Sequence, residues 1–163
     1  MLRKNILKQD RSETVPPAMS ATMISIPDVA SVLVSSEDSL HPIDHVFDDH
    51  NGPGGTRWIA GEVGEQTIIV AFDRPLRLQK VNLEIEEPEM SRTQELSLGI
   101  SDDGGQRYKE VLRQEYNFSP PDATFEREWW AVPVENMTHL RLIIKPDKGN
   151  KPSRATVTSL KLL

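Results

Sequence analysis

In KVNLEIE (80–86) every second residue is apolar, with Val81, Leu83 and Ile85 in phase, and QELSLGIS (94–101) repeats the pattern with Leu96, Leu98 and Ile100. A period of two places such residues on one face of an extended strand, so each run has one packed side and one wet side. From Ile24 onward no stretch sustains a helical period for three turns, while β-branched or alternating runs recur between closely spaced turn residues. QTIIVAF (66–72), HLRLIIK (139–145) and ATVTSLKLL (155–163) complete the clear set, and weaker strands are expected at 24–34, 107–116 and 124–134. The reading is all-β. Eight short antiparallel strands must bury their apolar faces against each other, which gives a sandwich or jelly roll. In the last run the apolar phase slips from Ala155 and Val157 to Leu160 and Leu162, so a bulge is expected near Thr158 and Ser159.

The chain has 163 residues and no cysteine, which fits one domain with a core of its own and excludes disulfides, thiolate metal sites and a cysteine nucleophile. Its net charge of -6 works against a general nucleic-acid or anionic-membrane binder. The first 23 residues carry four basic groups (Arg3, Lys4, Lys8, Arg11) against two acidic ones and have no regular patterning, so 1–23 is expected to be a disordered tail before a domain over 24–163. That tail lacks the apolar stretch of a signal peptide, and no run approaches a membrane span, so a cytoplasmic location is expected. SDDGGQRY (101–108) reads as a hairpin: Ser and Asp side chains hold the turn amides, glycines take left-handed positions and Tyr108 packs back. The prolines gather in connections, NFSPPDA (117–123) and KPDKGNKPS (145–153).

The stretch most suggestive of chemistry is HVFDDHNGPGGTRW (45–58), with His41 and Asp44 just upstream. His41 and His45 have the four-residue spacing of a helical zinc pair, but HPIDH supplies no glutamate as general base, and Pro42 suits only the first turn of a helix. A short helical turn would direct Ile43 and Phe47 inward and both histidines to water. The glycines lack the lysine of a phosphate loop and serve better as a tight bend returning the chain to Trp58. Two readings of that bend stand side by side. Asp48, Asp49, Asn51 and Thr56 offer oxygens for a structural calcium ion, or Asp48 or Asp49 simply caps the turn through its backbone amides.

Trp129 and Trp130 are adjacent, so on a strand one must face the core and the other solvent or a neighbouring loop, where it could stack on a sugar ring or fill a partner's pocket. No Ser-His-acid spacing and no distinct carboxylate pair marks a catalytic centre.

The order FDDHNGPGGTRW, QTIIVAFDRPLRLQKVNLEI, SRTQELSLGISDDGGQRYKEV, THLRLIIKPDKGN and ATVTSLKLL resembles the discoidin, or coagulation-factor type C, domain and its galactose-binding-like carbohydrate-binding relatives, over about residues 28–163. The resemblance implies an eight-stranded antiparallel jelly-roll sandwich. It also implies a calcium site in the loop before Thr56-x-Trp58, although Ser159 or Thr158 stands where the family tends to have the completing glutamate. Sugar-binding members use loop histidine, arginine, asparagine and aromatic residues at one end of the sandwich, which here suggests His50, Arg92, Asn117, Phe118 and Trp130, with Arg92 at a matched position. The function expected is a non-catalytic module that binds a carbohydrate or glycan-like ligand; the alternative is a protein-interaction subunit of a cytoplasmic complex.

Overall fold

The computed structural model describes residues 22–163, so the expectation of a disordered tail over 1–23 falls almost entirely outside the described residues. The first element is a one-turn helix, α1 (Ile26–Val29), and not the strand expected from residue 24. Pro27 explains the difference, because it has no amide hydrogen for a ladder and a φ already suited to a first helical turn. The strand proper, β1, runs Ala30–Val34. After a 3-10 turn at Ile43–Phe47 come β2 (Trp58–Ile59), β3 (Gln66–Glu86), β4 (Arg92–Ser101), β5 (Lys109–Phe118), β6 (Phe125–Lys145), β7 (Thr156–Val157) and β8 (Ser159–Leu162). Every pairing between them is antiparallel.

Two strands are twice as long as their sequence runs indicated. Segments 66–72 and 80–86 join into β3, and 124–134 and 139–145 join into β6. The two pair along their whole lengths, with register shifts between Ala71 and Lys80 that bend both together. Pro75 lies inside that irregular stretch, where a missing donor interrupts no regular ladder. The bend divides each strand between two layers. One layer holds β1, the first half of β3, the second half of β6, β4 and β5. The other holds the first half of β6, the second half of β3, and β8, with the small β2–β7 ladder beside them.

The period of two is realised as the sequence demands. Leu96, Leu98 and Ile100 meet Ile68, Val70, Leu140, Leu142 and Ile144 from one layer and Val81, Leu83, Ile85, Leu160 and Leu162 from the other, forming one core. Trp58 is fully buried within it, its indole N–H donating to the Ser36 carbonyl at 3.0 Å. The phase slip near the C-terminus is a change of partner: Val157 pairs with Trp58 in the small ladder, the Thr158 N–H donates to the Glu84 carbonyl, and from Ser159 the chain pairs with β3. Both apolar pairs therefore point inward. Among the described residues no helix is long and apolar enough to cross a membrane.

Candidate functional site

Antiparallel pairing brings the start of β4, the end of β5 and the end of β6 to the same end of the sandwich. There these strand ends and the connections 87–91 and 146–152 border an open hollow of about 590 Å³. Three of the five residues expected to bind ligand, Arg92, Asn117 and Phe118, line it. Asn117 is exposed, and its side-chain oxygen accepts the Thr93 hydroxyl at 2.5 Å across the β4–β5 ladder. Phe118 is 3% exposed and belongs to the core, so its ring is not open for stacking.

Arg92 is the floor of the hollow rather than its lip. Its side chain is 2% exposed, Nη2 donates to Glu87 Oε1 at 2.5 Å, and Nη1 donates to the Pro146 carbonyl at 3.1 Å. Glu87 in turn accepts the amide hydrogens of Glu89 and Met90. One guanidinium thus ties the 87–91 connection to the 146–152 connection, a brace that needs the fixed fork of arginine.

The groups that do face the hollow come largely from KPDKGNKPS, which the sequence offered only as a proline-bearing connection. Asp147 accepts the N–H of Thr93 at 3.0 Å and that of Lys151 at 2.9 Å, and these two amides hold its carboxyl below the ordinary carboxylate value. That shapes the turn which presents Lys148 and Lys151. Lys151 donates to the Ser91 carbonyl at 2.8 Å, and Lys148 pairs with Glu115. The hollow is therefore lined by amide, hydroxyl, amine and carboxylate groups at moderate exposure, with a rigid base.

His50 and Trp130 do not join it. His50 sits on the 48–57 loop with a side chain 75% exposed, its Nδ1 3.7 Å from Asp48. Trp130 faces inward opposite Val81 and packs against the core, whereas Trp129 is the exposed member of the pair, at 44%. The two rings alternate as adjacent strand residues must, and the exposed one is Trp129 rather than Trp130, because two adjacent tryptophans carry no signal of phase by themselves.

The 48–57 loop folds against the outer face of β3, and its organiser is a residue that the sequence reading passed over. Glu84 is 2% exposed; its carboxylate accepts the Gly52 N–H at 2.7 Å, the Asn51 amide at 3.2 Å and Arg127 Nε at 2.9 Å. Burial alone would raise its pKa, but these three donors together hold it below the usual value. Gly52 has a φ of 88°, which a residue with a Cβ rarely adopts, so the glycine there is required by the bend. The loop's own oxygens are also engaged. Asp48 accepts the His50 N–H at 2.9 Å and the Thr56 hydroxyl at 2.6 Å, the Thr56 N–H donates to the His50 carbonyl, and Asn51 Oδ1 faces the Lys161 ammonium at 3.4 Å. Asp49, with φ of 63°, lies 3.8 Å from the same ammonium. Among the described residues no three acidic or histidine side chains converge as metal ligands. In this arrangement the loop's oxygens are engaged by its own donors and by the Lys161 ammonium.

The histidines upstream are locally bound rather than simply solvated. His41 Nδ1 is 2.9 Å from Asp38, and His45 Nδ1 is 3.0 Å from the Arg57 carbonyl, so His45 secures the two ends of the loop to each other. Val46 supplies the buried contact of the 3-10 turn, with Ile43 and Phe47 packed partly against the core.

No protein-family model matches this chain, and neither does any curated protein. Solved structures do share its fold. The family 32 carbohydrate-binding module of C. perfringens NanJ, solved with galactose, aligns with a TM-score of 0.60 and 11% identity over 86% of this chain and 96% of its own. The module of AlyQ, solved with 4,5-unsaturated mannuronic acid, aligns at 0.58 and 20% identity over 83% and 95%. The C-terminal domain of a Bacteroides fragilis chitobiase aligns at 0.60 and 15% over 86% and 96%. At such identities the likeness shows a shared β-sandwich fold and leaves the ligand to the site itself.

Proposed function

We propose that the protein is a non-catalytic carbohydrate-binding module whose ligand sits in the hollow at the β4–β5–β6 end of the sandwich. One observation carries the reading: an open hollow whose rim offers donors and acceptors from several segments above a floor locked by Arg92. A sugar presents many hydroxyls that both donate and accept. The Asn117 amide, the Thr93 hydroxyl, and the Lys148 and Lys151 amines answer that pattern from three separate segments. The solved modules of the same fold, whose ligands include galactose and an unsaturated mannuronic acid, support a sugar as the class of ligand. Phe118, the aromatic residue that lines the hollow, is buried, so recognition there rests on hydrogen bonds and affinity per site is modest.

The test is a glycan array followed by calorimetric titration of each positive sugar. Saturable binding that falls about tenfold in Asn117→Ala or Lys151→Ala, with melting midpoints unchanged, is the expected result. A silent array together with a stoichiometric protein partner recovered from native cells would replace this reading with the interaction-subunit alternative.

A further inference from the structure

A second concavity lies on the outer face of the five-stranded layer, away from the loop end. On β4, Ser97 and Gly99 alternate with the buried Leu96, Leu98 and Ile100. On β6, Arg141, Ile143 and Lys145 alternate with the buried Leu140, Leu142 and Ile144. These outward positions, with Tyr108 and residues of β5, enclose a groove of about 290 Å³, close to the lower size of small-molecule sites, and so suited to one ring.

The charged groups of this groove, three acidic and three basic, are not equally engaged. Arg113 is held between Glu110 at 2.8 Å and Glu95 at 3.3 Å, a triad that keeps one net negative charge. Arg141 has no such partner. Its guanidinium carbon lies 4.0 Å from the centre of the Tyr108 ring, its Nε is buried without a hydrogen-bond acceptor, and among the described residues no carboxylate forms an ion pair with it. A half-buried cation stacked on an aromatic face and left without an anion carries an unmet electrostatic demand. Gly99 makes the arrangement possible: a Cβ there would stand 3.3 Å from Tyr108 Cβ and press the ring off Arg141.

We propose that this groove is a second binding site, selective for a sugar ring that bears a carboxylate. Arg141 pairs with the carboxylate through its planar fork, and Ser97 and Glu65 at the groove wall meet ring hydroxyls. Since the whole chain carries a net charge of -6, long-range attraction does not help an anion arrive. Selection therefore comes from the short-range pair in the groove, and binding is weak and salt-sensitive. The site shares no lining residue with the loop-end hollow, so either can fail without the other.

The experiment is a nuclear magnetic resonance titration of the full chain with sodium glucuronate, using neutral methyl glucoside as the control. Saturable amide shifts at Ser97, Gly99, Arg141 and Ile143 are expected with glucuronate and absent with the glucoside. Arg141→Gln should weaken them by about tenfold or more, and Arg141→Lys, which keeps the charge but loses the fork, should fall between. Amides at Thr93, Lys148 and Lys151 report separately on the loop end. The proposal is overturned if the face stays silent, if both sugars move it equally, or if the shifts survive in a folded Arg141→Gln protein. Should that variant fail to fold, the lysine variant decides: undiminished binding there rules out the fork.

Discussion

Glu84→Ala should release the 48–57 loop from the sheet and lower stability without touching the core. The change leaves the Gly52 N–H under the loop without its 2.7 Å acceptor, and an amide stranded in that way costs about 1–3 kcal/mol. Asn51 is partly accessible and Arg127 is 49% exposed, so both can turn to water and together add only about 1 kcal/mol. Relief of the buried carboxylate's own desolvation subtracts some of this, for a net loss of about 2–3 kcal/mol. For a domain of this size that is about 4–12 °C of melting midpoint. Glu84→Gln keeps an oxygen for Gly52 and should lose less than half as much. Circular-dichroism melts at neutral pH, each with calcium or a chelator present, provide the assay. Because Glu84 and the two basic side chains close the loop, neither calcium nor chelator should move the wild-type midpoint by more than about 1 °C. The pH dependence has a fixed sign. A carboxyl held below its unfolded pKa contributes stability above that value and loses it as the pH falls through the folded one, so the mutant's deficit should shrink below about pH 4. A chelator that lowered the wild-type midpoint by several degrees, or an alanine variant as stable as wild type, would refute the reasoning.

Arg92→Ala leaves Glu87 buried and unpaired, and should cost about 3–5 kcal/mol in urea denaturation. Glu87→Gln should weaken sugar binding at the loop end alongside Arg92→Ala, since both slacken the same brace; full binding in a folded Glu87→Gln protein would instead make Arg92 a direct ligand. Asp103, held down to about 2 by the Ser101 hydroxyl and the Arg107 N–H, supports its hairpin above the unfolded value near 3.8 and stops doing so as the pH falls toward 2. Asp103→Asn should therefore flatten the acid limb of the stability curve measured by urea titration, with little change in the slope against urea.

How far the sequence could be read follows from what each pattern encodes. Alternation in KVNLEIE and QELSLGIS reports which side of a strand packs into the core, and all six apolar residues do so; the side expected to be wet is covered as well, with Asn82 and Glu84 buried on one run and Gln94, Ser97 and Ser101 on the other. It does not report where a strand ends, because Asp73, Arg74 and Pro75 look like a turn whether the chain reverses there or bends across two layers, as β3 does. The 101–108 hairpin was legible in detail since its turn is held by its own side chains: the Ser101 hydroxyl receives the Gly105 N–H, and Asp103 receives those of Gln106 and Arg107. Glu84 was illegible for the converse reason. Its partners lie 32, 33 and 43 residues away, and within KVNLEIE it looks like any outward-facing polar residue.

Arg92 shows the limit most clearly. Position and residue type singled out an arginine that lies at one end of the molecule with Asn117 and Phe118, but not what its side chain bonds. An arginine that reads a ligand and one that ties two connections together need the same chemistry, a flat cation with several donors, and differ only in whether the acceptors belong to the protein. Here they do: Glu87 and the Pro146 carbonyl take donors of Nη2 and Nη1, Nε alone is left without an acceptor, and the side chain is shut from solvent. The inverse holds at Arg141, where no protein acceptor is supplied and the guanidinium lines an open groove. The two arginines are thus distinguished by their terminal nitrogens, which the protein engages in Arg92 and not in Arg141, and this is why the braced one is assigned to the architecture of the loop end and the unbraced one to a ligand.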